Sequence, residues 1–356
     1  MSRCTASVLA GLAVLLGACA SSGPSARFQL ITPESSGQTW PAPPQVPRYR
    51  YLGSLTGEDN YVRPAEAVES TASRVLRWLV GLGGGGGPVE RLGRPQGGAV
   101  DGQGRILVTD LAQPGVFVFD PGAEAPEIWT EASPGQAFKS PIEVEPSPMG
   151  GYYVSDSALA LVARLAPDGR PLEPITDAQL LRPTGLALDP DTGRLYVADS
   201  EADDIKVYNR AGQRVDLIGG SGVAPGLFNG PTFLDFHAGQ LYVTDTLNAR
   251  IQVLDRMGHP LRLIGQRGLY VGNFVRPKGV GVDEEGHVYA TESYYDHLLV
   301  FGGEGQFLLG IGGSGGGAGR FMLPAGVWPD ARGRVFVADM MNARVVVLQY
   351  LGDAGE

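Results

Sequence analysis

The sequence predicts an all-β protein built from six copies of one four-stranded unit. Six short apolar segments each end in a carboxylic acid, and these acids recur at spacings of 46, 43, 46, 47 and 47 residues: Asp110, Asp156, Asp199, Asp245, Glu292 and Asp339. Glycine and proline, with 53 and 27 copies, divide the chain into many short elements. Each unit holds about four short runs rich in Val, Leu and Tyr, which indicates a small antiparallel sheet.

The repeat length is in the range of the blades of a β-propeller. A proline opens each unit: Pro95, Pro141, Pro183, Pro231, Pro277 and Pro324. The β-runs are nearly continuous in apolar residues, which is typical of sheets that are covered on both faces, as stacked blades are. The sequence therefore predicts a six-bladed β-propeller over residues 48–351.

The fourth unit carries a more specific motif. The stretch "FNGPTFLDFHAGQLYVTDTLNARIQVLDRMGHPLRLIG" contains D-x-x-N-x-R as Asp245, Asn248 and Arg250, and the sixth unit repeats this motif from Asp339 onward. Both units resemble an NHL repeat, and the resemblance extends over residues 90–351, although the other four units depart from the motif after the acid. The resemblance implies NHL-type four-stranded blades. It leaves the function open, because one fold hosts many unrelated activities.

The N-terminus predicts export. Residues 1–18 combine Arg3 with an apolar run and small residues, as a secretory signal peptide does. The sequence "LGAC", which ends at Cys19, resembles the lipobox of bacterial lipoproteins. This resemblance implies a lipid on Cys19 and, because Ala20 follows, anchoring to the outer membrane facing the periplasm. An ordinary signal peptide that contains a cysteine is the alternative.

The next segments link this anchor to the ring. Residues 19–47 are rich in Ser and Pro and predict a flexible, lipid-anchored tether. Only 17 residues follow Asp339, so the sixth unit lacks a fourth strand. Tyr49–Leu55 resembles that strand and is expected to close the ring from the N-terminal side, which leaves 352–356 as a tail.

Residues 64–82 break the β pattern. Val75, Leu76, Leu79 and Val80 fall on one face of a helix, which predicts one inserted helix. A strand at "RWLVGLG" is the alternative, because that stretch also resembles the fourth strand of a blade.

Charge narrows the choice of partners. The net charge of −10 disfavours a nucleic-acid partner.

The six strand-end acids are expected to accept backbone hydrogen bonds in the adjacent turns, with a ring of cation ligands as the alternative. The stretch "DSEADD" is a weak calcium candidate, with a solvated acidic loop as its alternative, through Asp199, Glu201, Asp203 and Asp204.

The repeat is broken where charge enters the first strand. Glu145 and Asp235 occupy a position that other units fill mostly with Ala or Gly, and Glu143 lies two residues before Glu145. A buried carboxylate is costly unless it meets water, a basic partner or a ligand. These three acids are therefore predicted to bind a ligand in the central channel, and a water-filled channel is the alternative.

A second candidate site lies where the blade-to-blade loops and the turns between second and third strands emerge on one side. It gathers basic and aromatic residues that suit an anionic or polar ligand: Arg94, Arg182, Arg276, Lys278, Tyr294, Tyr295 and His297. Pairing of the arginines with the strand-end acids is the alternative.

No catalytic constellation is recognisable. The sequence predicts a lipid-anchored binding or scaffold module of the bacterial cell envelope, with a small polar or anionic ligand or an envelope protein as its partner. The alternative is a hydrolase or lyase with a cation, such as calcium, held in the channel by Glu143, Glu145 and Asp235. No other cofactor is expected.

Overall fold

The computed structural model describes residues 26–32, 37–62 and 90–352, which form the predicted all-β, six-bladed propeller. Each of the first five blades is a four-stranded antiparallel sheet in chain order. Their strands are Pro95–Val100, Ile106–Asp110, Gly115–Phe119 and Glu127–Trp129 in blade 1; Pro141–Pro146, Tyr152–Asp156, Leu161–Leu165 and Ile175–Thr176 in blade 2; Pro183–Leu188, Leu195–Asp199, Asp204–Tyr208 and Arg214–Gly219 in blade 3; Pro231–His237, Gln240–Asp245, Arg250–Asp255 and Pro260–Ile264 in blade 4; and Pro277–Val282, Val288–Glu292, His297–Phe301 and Phe307–Gly312 in blade 5.

Blade 6 joins the two ends of the chain. It combines Pro324–Pro329, Arg334–Asp339 and Arg344–Tyr350 with the early strand Tyr49–Leu55. This early strand runs antiparallel to Arg344–Tyr350, with Leu55 opposite Val345 and Tyr49 opposite Tyr350. Tyr49 and Tyr51 are buried in the core between blades 5 and 6, and Leu55 is buried in the core between blades 6 and 1, because the register shift at Val347 and Leu348 turns the two parts of the strand to opposite faces. The predicted closure of the ring is confirmed.

The first strands of the blades wall the central channel. Each packs against the first strands of its two neighbours, and Pro324–Pro329 of blade 6 packs against Pro95–Val100 of blade 1. We call the end of the channel at the six prolines the proline face. The opposite end, which carries the turns between first and second strands, is the hairpin face.

The described parts of the segment 19–47, which was predicted to be a flexible tether, are 26–32 and 37–47, and they contribute to the fold. Arg27–Phe28 pairs with Tyr61–Val62, and Thr39–Trp40 pairs with the closing strand of blade 6. The Phe28 and Tyr61 rings lie 5.3 Å apart, and Trp40 packs on the core of blades 5 and 6. Burial of these aromatic side chains offsets the entropy lost on ordering a Ser- and Pro-rich segment.

Other short elements complete the described structure. The strands Glu131–Ser133 and Gln136–Ala137 pair between blades 1 and 2. Single 3₁₀ turns span Glu58–Asn60, Thr246–Asn248 and Met340–Asn342. No helix in 26–32, 37–62 or 90–352 is long and apolar enough to cross a bilayer. The predicted signal peptide, Cys19 and the predicted helix 64–82 lie outside the described residues.

The strand-end acids hold neighbouring loops together, as expected of capping groups. All six are buried, and each accepts a hydrogen bond from the backbone of one or both of the two residues that precede the blade's proline. Asp110, for example, accepts from the N–H groups of Gly93 and Arg94 at 2.8 Å. In blade 4 the NHL motif adds Asn248 and Arg250, each 2.8 Å from Asp245 Oδ2.

Candidate functional site

The channel contains an acidic cavity of about 290 Å³ in its half nearer the hairpin face. The first strands of all six blades line it, with apolar side chains such as Leu186, Leu234 and Val280 between the polar groups. The polar groups are Glu143, Glu145, Asp235 and Trp328. The three carboxyl groups that the sequence predicts as ligand contacts are thus brought to one cavity.

Two glycines of blade 1 make room for this arrangement. A Cβ atom on Gly97 would lie 2.6 Å from Glu143 Oε1, and a Cβ atom on Gly98 would lie 2.6 Å from the Trp328 ring. Because the strand Pro95–Val100 carries no side chain at either position, Glu143 from blade 2 and Trp328 from blade 6 both reach over it. These glycines permit close approach of neighbouring blades to one strand, rather than a turn.

The cavity holds acids without a cationic partner. Within the described ranges, no lysine, arginine or histidine forms an ion pair with Glu143, Glu145 or Asp235. Burial, and then the neighbouring Glu145 carboxyl, raise the pKa of Glu143 well above its usual value. Burial and then Asp235 do the same for the pKa of Glu145. A protonated carboxyl both donates and accepts hydrogen bonds.

Asp235 is held by its neighbours' backbone. Its carboxylate accepts hydrogen bonds from the N–H groups of Val282 at 2.6 Å and Phe236 at 2.7 Å. Burial raises its pKa from 3.8 to about 6, although these two hydrogen bonds oppose the shift.

This shift predicts a pH dependence of stability. The folded protein binds the Asp235 proton more tightly than the unfolded chain, so the resulting stabilisation is complete below pH 3.8 and is lost as pH rises through about 6. The shift corresponds to about 3 kcal/mol. Between pH 4 and pH 7, we expect the unfolding free energy of Asp235→Asn to fall less than that of the wild type, by this amount, because asparagine does not titrate. Urea denaturation at the two pH values measures the difference. Parallel pH profiles for the two proteins would contradict this assignment.

Among the four polar residues of the cavity, Trp328 supplies a hydrogen-bond donor whose position is fixed by packing of its ring. Its ring stacks on Phe336, with centroids 5.7 Å apart and planes 5° from parallel. Its Nε1–H is buried and has no hydrogen-bond partner in the described structure. Leaving such a donor unpaired costs about 1–3 kcal/mol. The sequence gives one signal for this residue, a large side chain where three other blades carry Ala or Gly.

The basic residues predicted as ligand contacts lie at the other end of the channel. Lys278 is enclosed in the first strand of blade 5, and its ammonium group donates to Gln96 Oε1 at 3.1 Å. Burial lowers its pKa to about 8. Arg94, Arg182 and Arg276 are exposed around the proline face, and within the described ranges their guanidinium groups form no ion pair with the strand-end acids.

The aromatic residues of this predicted site lie apart from its basic residues. Tyr294, Tyr295 and His297 lie at and beside the turn between the second and third strands of blade 5, one strand outward from Lys278. The Tyr294 and Tyr295 rings contact each other edge to face at 4.9 Å. In the described part of the chain, no hydrogen bond connects these three side chains to Lys278 or the arginines.

The calcium candidate in "DSEADD" already has a cation, which the sequence analysis missed. The ammonium group of Lys206 lies 2.8 Å from Asp199 Oδ2 and 2.7 Å from Asp204 Oδ1, and Lys206 is 1% exposed. Asp203 instead accepts a hydrogen bond from the Gly230 N–H. A calcium ion bound by Asp199 and Asp204 would have to displace this ammonium group.

Comparison with known proteins identifies one of the repeats. The model of the NHL repeat matches residues 180–208, which span the first three strands of blade 3. The chain is a six-bladed β-propeller that contains an NHL repeat. Two auxiliary nutrient binding proteins share the fold of this propeller. The one from Bacteroides thetaiotaomicron is 14% identical, with a TM-score of 0.59 over 73% of this chain and 70% of that one. The one from Bacteroides ovatus is 13% identical, with a TM-score of 0.56 over 72% and 68%.

A relative by sequence is a gluconolactonase of Zymomonas mobilis. It is 32% identical to this chain over 123 residues. The match covers 30% of this chain and 34% of the relative, so the chain spans about a third of the length of the curated protein that it matches. Similarity over so short a part does not carry the activity of the whole protein.

Proposed function

We propose that this propeller is a lipid-anchored binding module of the bacterial cell envelope, and that its axial cavity binds a small, polyhydroxylated ligand. One observation carries the proposal: three carboxyl groups without a cationic partner converge on a single cavity that Trp328, whose buried indole N–H has no hydrogen-bond partner in the described structure, also lines. The description of two structural neighbours as nutrient-binding proteins supports a binding role. The lipobox at Cys19 supports the anchor, and loss of the protein from the membrane fraction in Cys19→Ser would test it.

The chemistry of the lining selects hydroxyl groups. The Trp328 N–H only donates, so it needs an acceptor oxygen, whereas ionised carboxylates only accept. Burial favours the protonated form of Glu143 and Glu145, which donates as well as accepts. A hydroxyl group both donates and accepts, so several hydroxyl groups on one small molecule could satisfy all four residues at once. A simple cation would be attracted by the acids but would leave the indole N–H unpaired.

The cavity also limits the size of the ligand. Its volume of about 290 Å³ corresponds to roughly ten water molecules at about 30 Å³ each. A monosaccharide or a sugar lactone has a comparable volume. Apolar walls such as Leu186 and Val280 suit the carbon skeleton of such a molecule.

Calorimetric titration of the full chain with a panel of monosaccharides and glucono-lactone tests the proposal. We expect at least one probe to bind, and Trp328→Phe to weaken it at least about tenfold, because one buried hydrogen bond is lost. Trp129→Phe is the matched control, since the Trp129 N–H is also buried and unpaired but lies in the fourth strand of blade 1. A panel without any binder, or equal affinities of both variants and the wild type, would refute the proposal.

A second candidate function is hydrolysis of a sugar lactone. The partial match to a gluconolactonase favours it, and the three carboxyl groups could hold a divalent cation or provide a general base. Turnover of glucono-lactone that is abolished by a chelator and by Glu145→Gln would favour this enzyme over a binding module. Stoichiometric binding without turnover would favour the binding module.

A further inference from the structure

A second polar site lies on the hairpin face, away from the channel. In blades 1 and 6, the turn between the first two strands reads Asp-x-x-Gly-Arg. Its arginine Nε donates to the aspartate at 2.8 Å, as in Asp101–Arg105 and Asp330–Arg334. The same aspartates accept backbone N–H groups two and four residues later. The guanidinium group therefore serves as the resident cation of these turns.

Blade 5 keeps this scaffold but changes its chemistry. Asp283 accepts the backbone N–H groups of Glu285 and His287 at 3.0 and 2.8 Å, as its counterparts do. His287, however, replaces the arginine, and Glu285 stands where blades 1 and 6 carry Gln103 and Arg332. The turn has lost its guanidinium group and has gained an imidazole and a second carboxylate.

The three side chains are spaced as metal ligands are. His287 Nδ1 is hydrogen-bonded to Asp283 Oδ2 at 3.0 Å and lies 3.7 Å from Glu285 Oε2, and one ligand atom of each residue lies within 4.8 Å of the other two. A metal ion bound here would replace this hydrogen bond. Tetrahedral ligands bound at about 2.1 Å are separated by about 3.4 Å, which falls between the two distances. Among residues 26–32, 37–62 and 90–352, this is the group of three such residues that meets the spacing.

Hydroxyl groups support both carboxylates, and one side of the group faces a cavity. The Tyr350 hydroxyl hydrogen-bonds Glu285, and Arg48 lines the same cavity. The Tyr289 hydroxyl donates to Asp283 Oδ2 at 2.7 Å and is 3.1 Å from the Tyr49 hydroxyl of the closing strand. Hydrogen bonds of this kind orient metal ligands. Glu285 and His287 also line a cavity of about 440 Å³ between blade 5 and the closing strand, with apolar walls at Leu308 and Leu309.

We propose that Asp283, Glu285 and His287 bind one zinc-type divalent cation, with a remaining coordination position open to the 440 Å³ cavity. One nitrogen and two oxygen ligands suit zinc or cobalt better than calcium, which prefers six to eight oxygen ligands. Three protein ligands with an open position are typical of zinc sites that bind an exchangeable water or a substrate. This site is separate from the axial cavity and does not rest on the function proposed for that cavity.

Cobalt titration of tag-free, chelator-treated full chain tests this site. We expect one equivalent of Co²⁺ to bind with the visible absorption of a four-coordinate ion, and Zn²⁺ to displace it. His287→Arg restores the turn of blades 1 and 6, so the fold should be retained while metal affinity falls at least about 100-fold. Glu285→Gln, which copies Gln103, should weaken binding at least about tenfold.

Two control variants keep the result specific. His259→Arg changes the exposed Asp255–His259 pair of blade 4, for which no third ligand is close, and should leave cobalt binding unchanged. Glu145→Gln in the axial cavity should also leave it unchanged. The proposal is overturned if the wild type binds no Co²⁺, if His287→Arg binds it as tightly as the wild type, or if Glu145→Gln alone abolishes binding.

Discussion

Replacing Lys206 with Met is expected to lower the free energy of unfolding by about 3–5 kcal/mol, because it leaves a buried carboxylate without its cation. The Lys206 ammonium group lies between Asp199 and Asp204, and Lys206 and Asp199 are 1% and 0% exposed. Backbone N–H groups would still contact Asp199 but would not neutralise its charge. Equilibrium urea denaturation measures the loss.

Blade 4 shows how this loss could be repaired. There, Asp245 is neutralised by Arg250, five residues later, and Gln252, seven residues later, donates to the same carboxylate at 3.0 Å. In blade 3 the corresponding positions hold Asp204 and Lys206. The double variant Asp204→Arg with Lys206→Gln copies blade 4 and should recover most of the stability lost in Lys206→Met.

Lys139→Met is the matched control. This lysine is exposed, and only its backbone N–H contacts the strand-end acid Asp156. We expect a change within about 0.5 kcal/mol, as for most surface substitutions. If Lys206→Met cost no more than Lys139→Met, the buried ion pair would not be the feature that stabilises blade 3.

The second large effect concerns closure of the ring. Leu55→Asp is expected to cost more than about 5 kcal/mol, because it removes a fully buried leucine and places a carboxylate in the core between blades 6 and 1. Leu55 pairs with Val345, so the damage falls where the first and last parts of the chain meet. We expect a protein that is largely unfolded or that loses the cooperative thermal transition of the wild type.

Arg50→Asp introduces the same residue on the same strand at an exposed position. It should change stability by no more than about 1 kcal/mol. If Leu55→Asp left the melting temperature as little affected as Arg50→Asp does, the strand Tyr49–Leu55 would not be needed to close the propeller.

Much of the architecture could be predicted because each blade buries the same faces with the same residue types. The spacing of the strand-end acids gave the number of blades, and the 17 residues after Asp339 showed that a strand was missing. The boundary between the tether and the folded part could not be predicted in the same way. Phe28 and Trp40 are isolated aromatic residues in a Ser- and Pro-rich stretch, and their partners lie in other segments.

The sites were predicted less completely, because their parts come from different blades. Glu143, Glu145 and Asp235 stood out as charges in apolar strands. The role of Trp328 depends on an indole N–H that has no hydrogen-bond partner in the described structure, and the sequence alone does not reveal this. Lys206 was missed because blade 3 moves the neutralising charge two residues along the strand from its position in blade 4. The group around His287 looks like an ordinary turn until Tyr49 and the cavity beside it are seen in three dimensions.

A crystal structure of the full chain with its tightest-binding hydroxylated probe is the most direct test of the axial site. The account predicts the probe inside the propeller, with an oxygen within about 3.2 Å of Trp328 Nε1 and a hydroxyl group equally close to Glu143, Glu145 or Asp235. A probe bound elsewhere on the protein, with only water beside these four residues, would contradict the account.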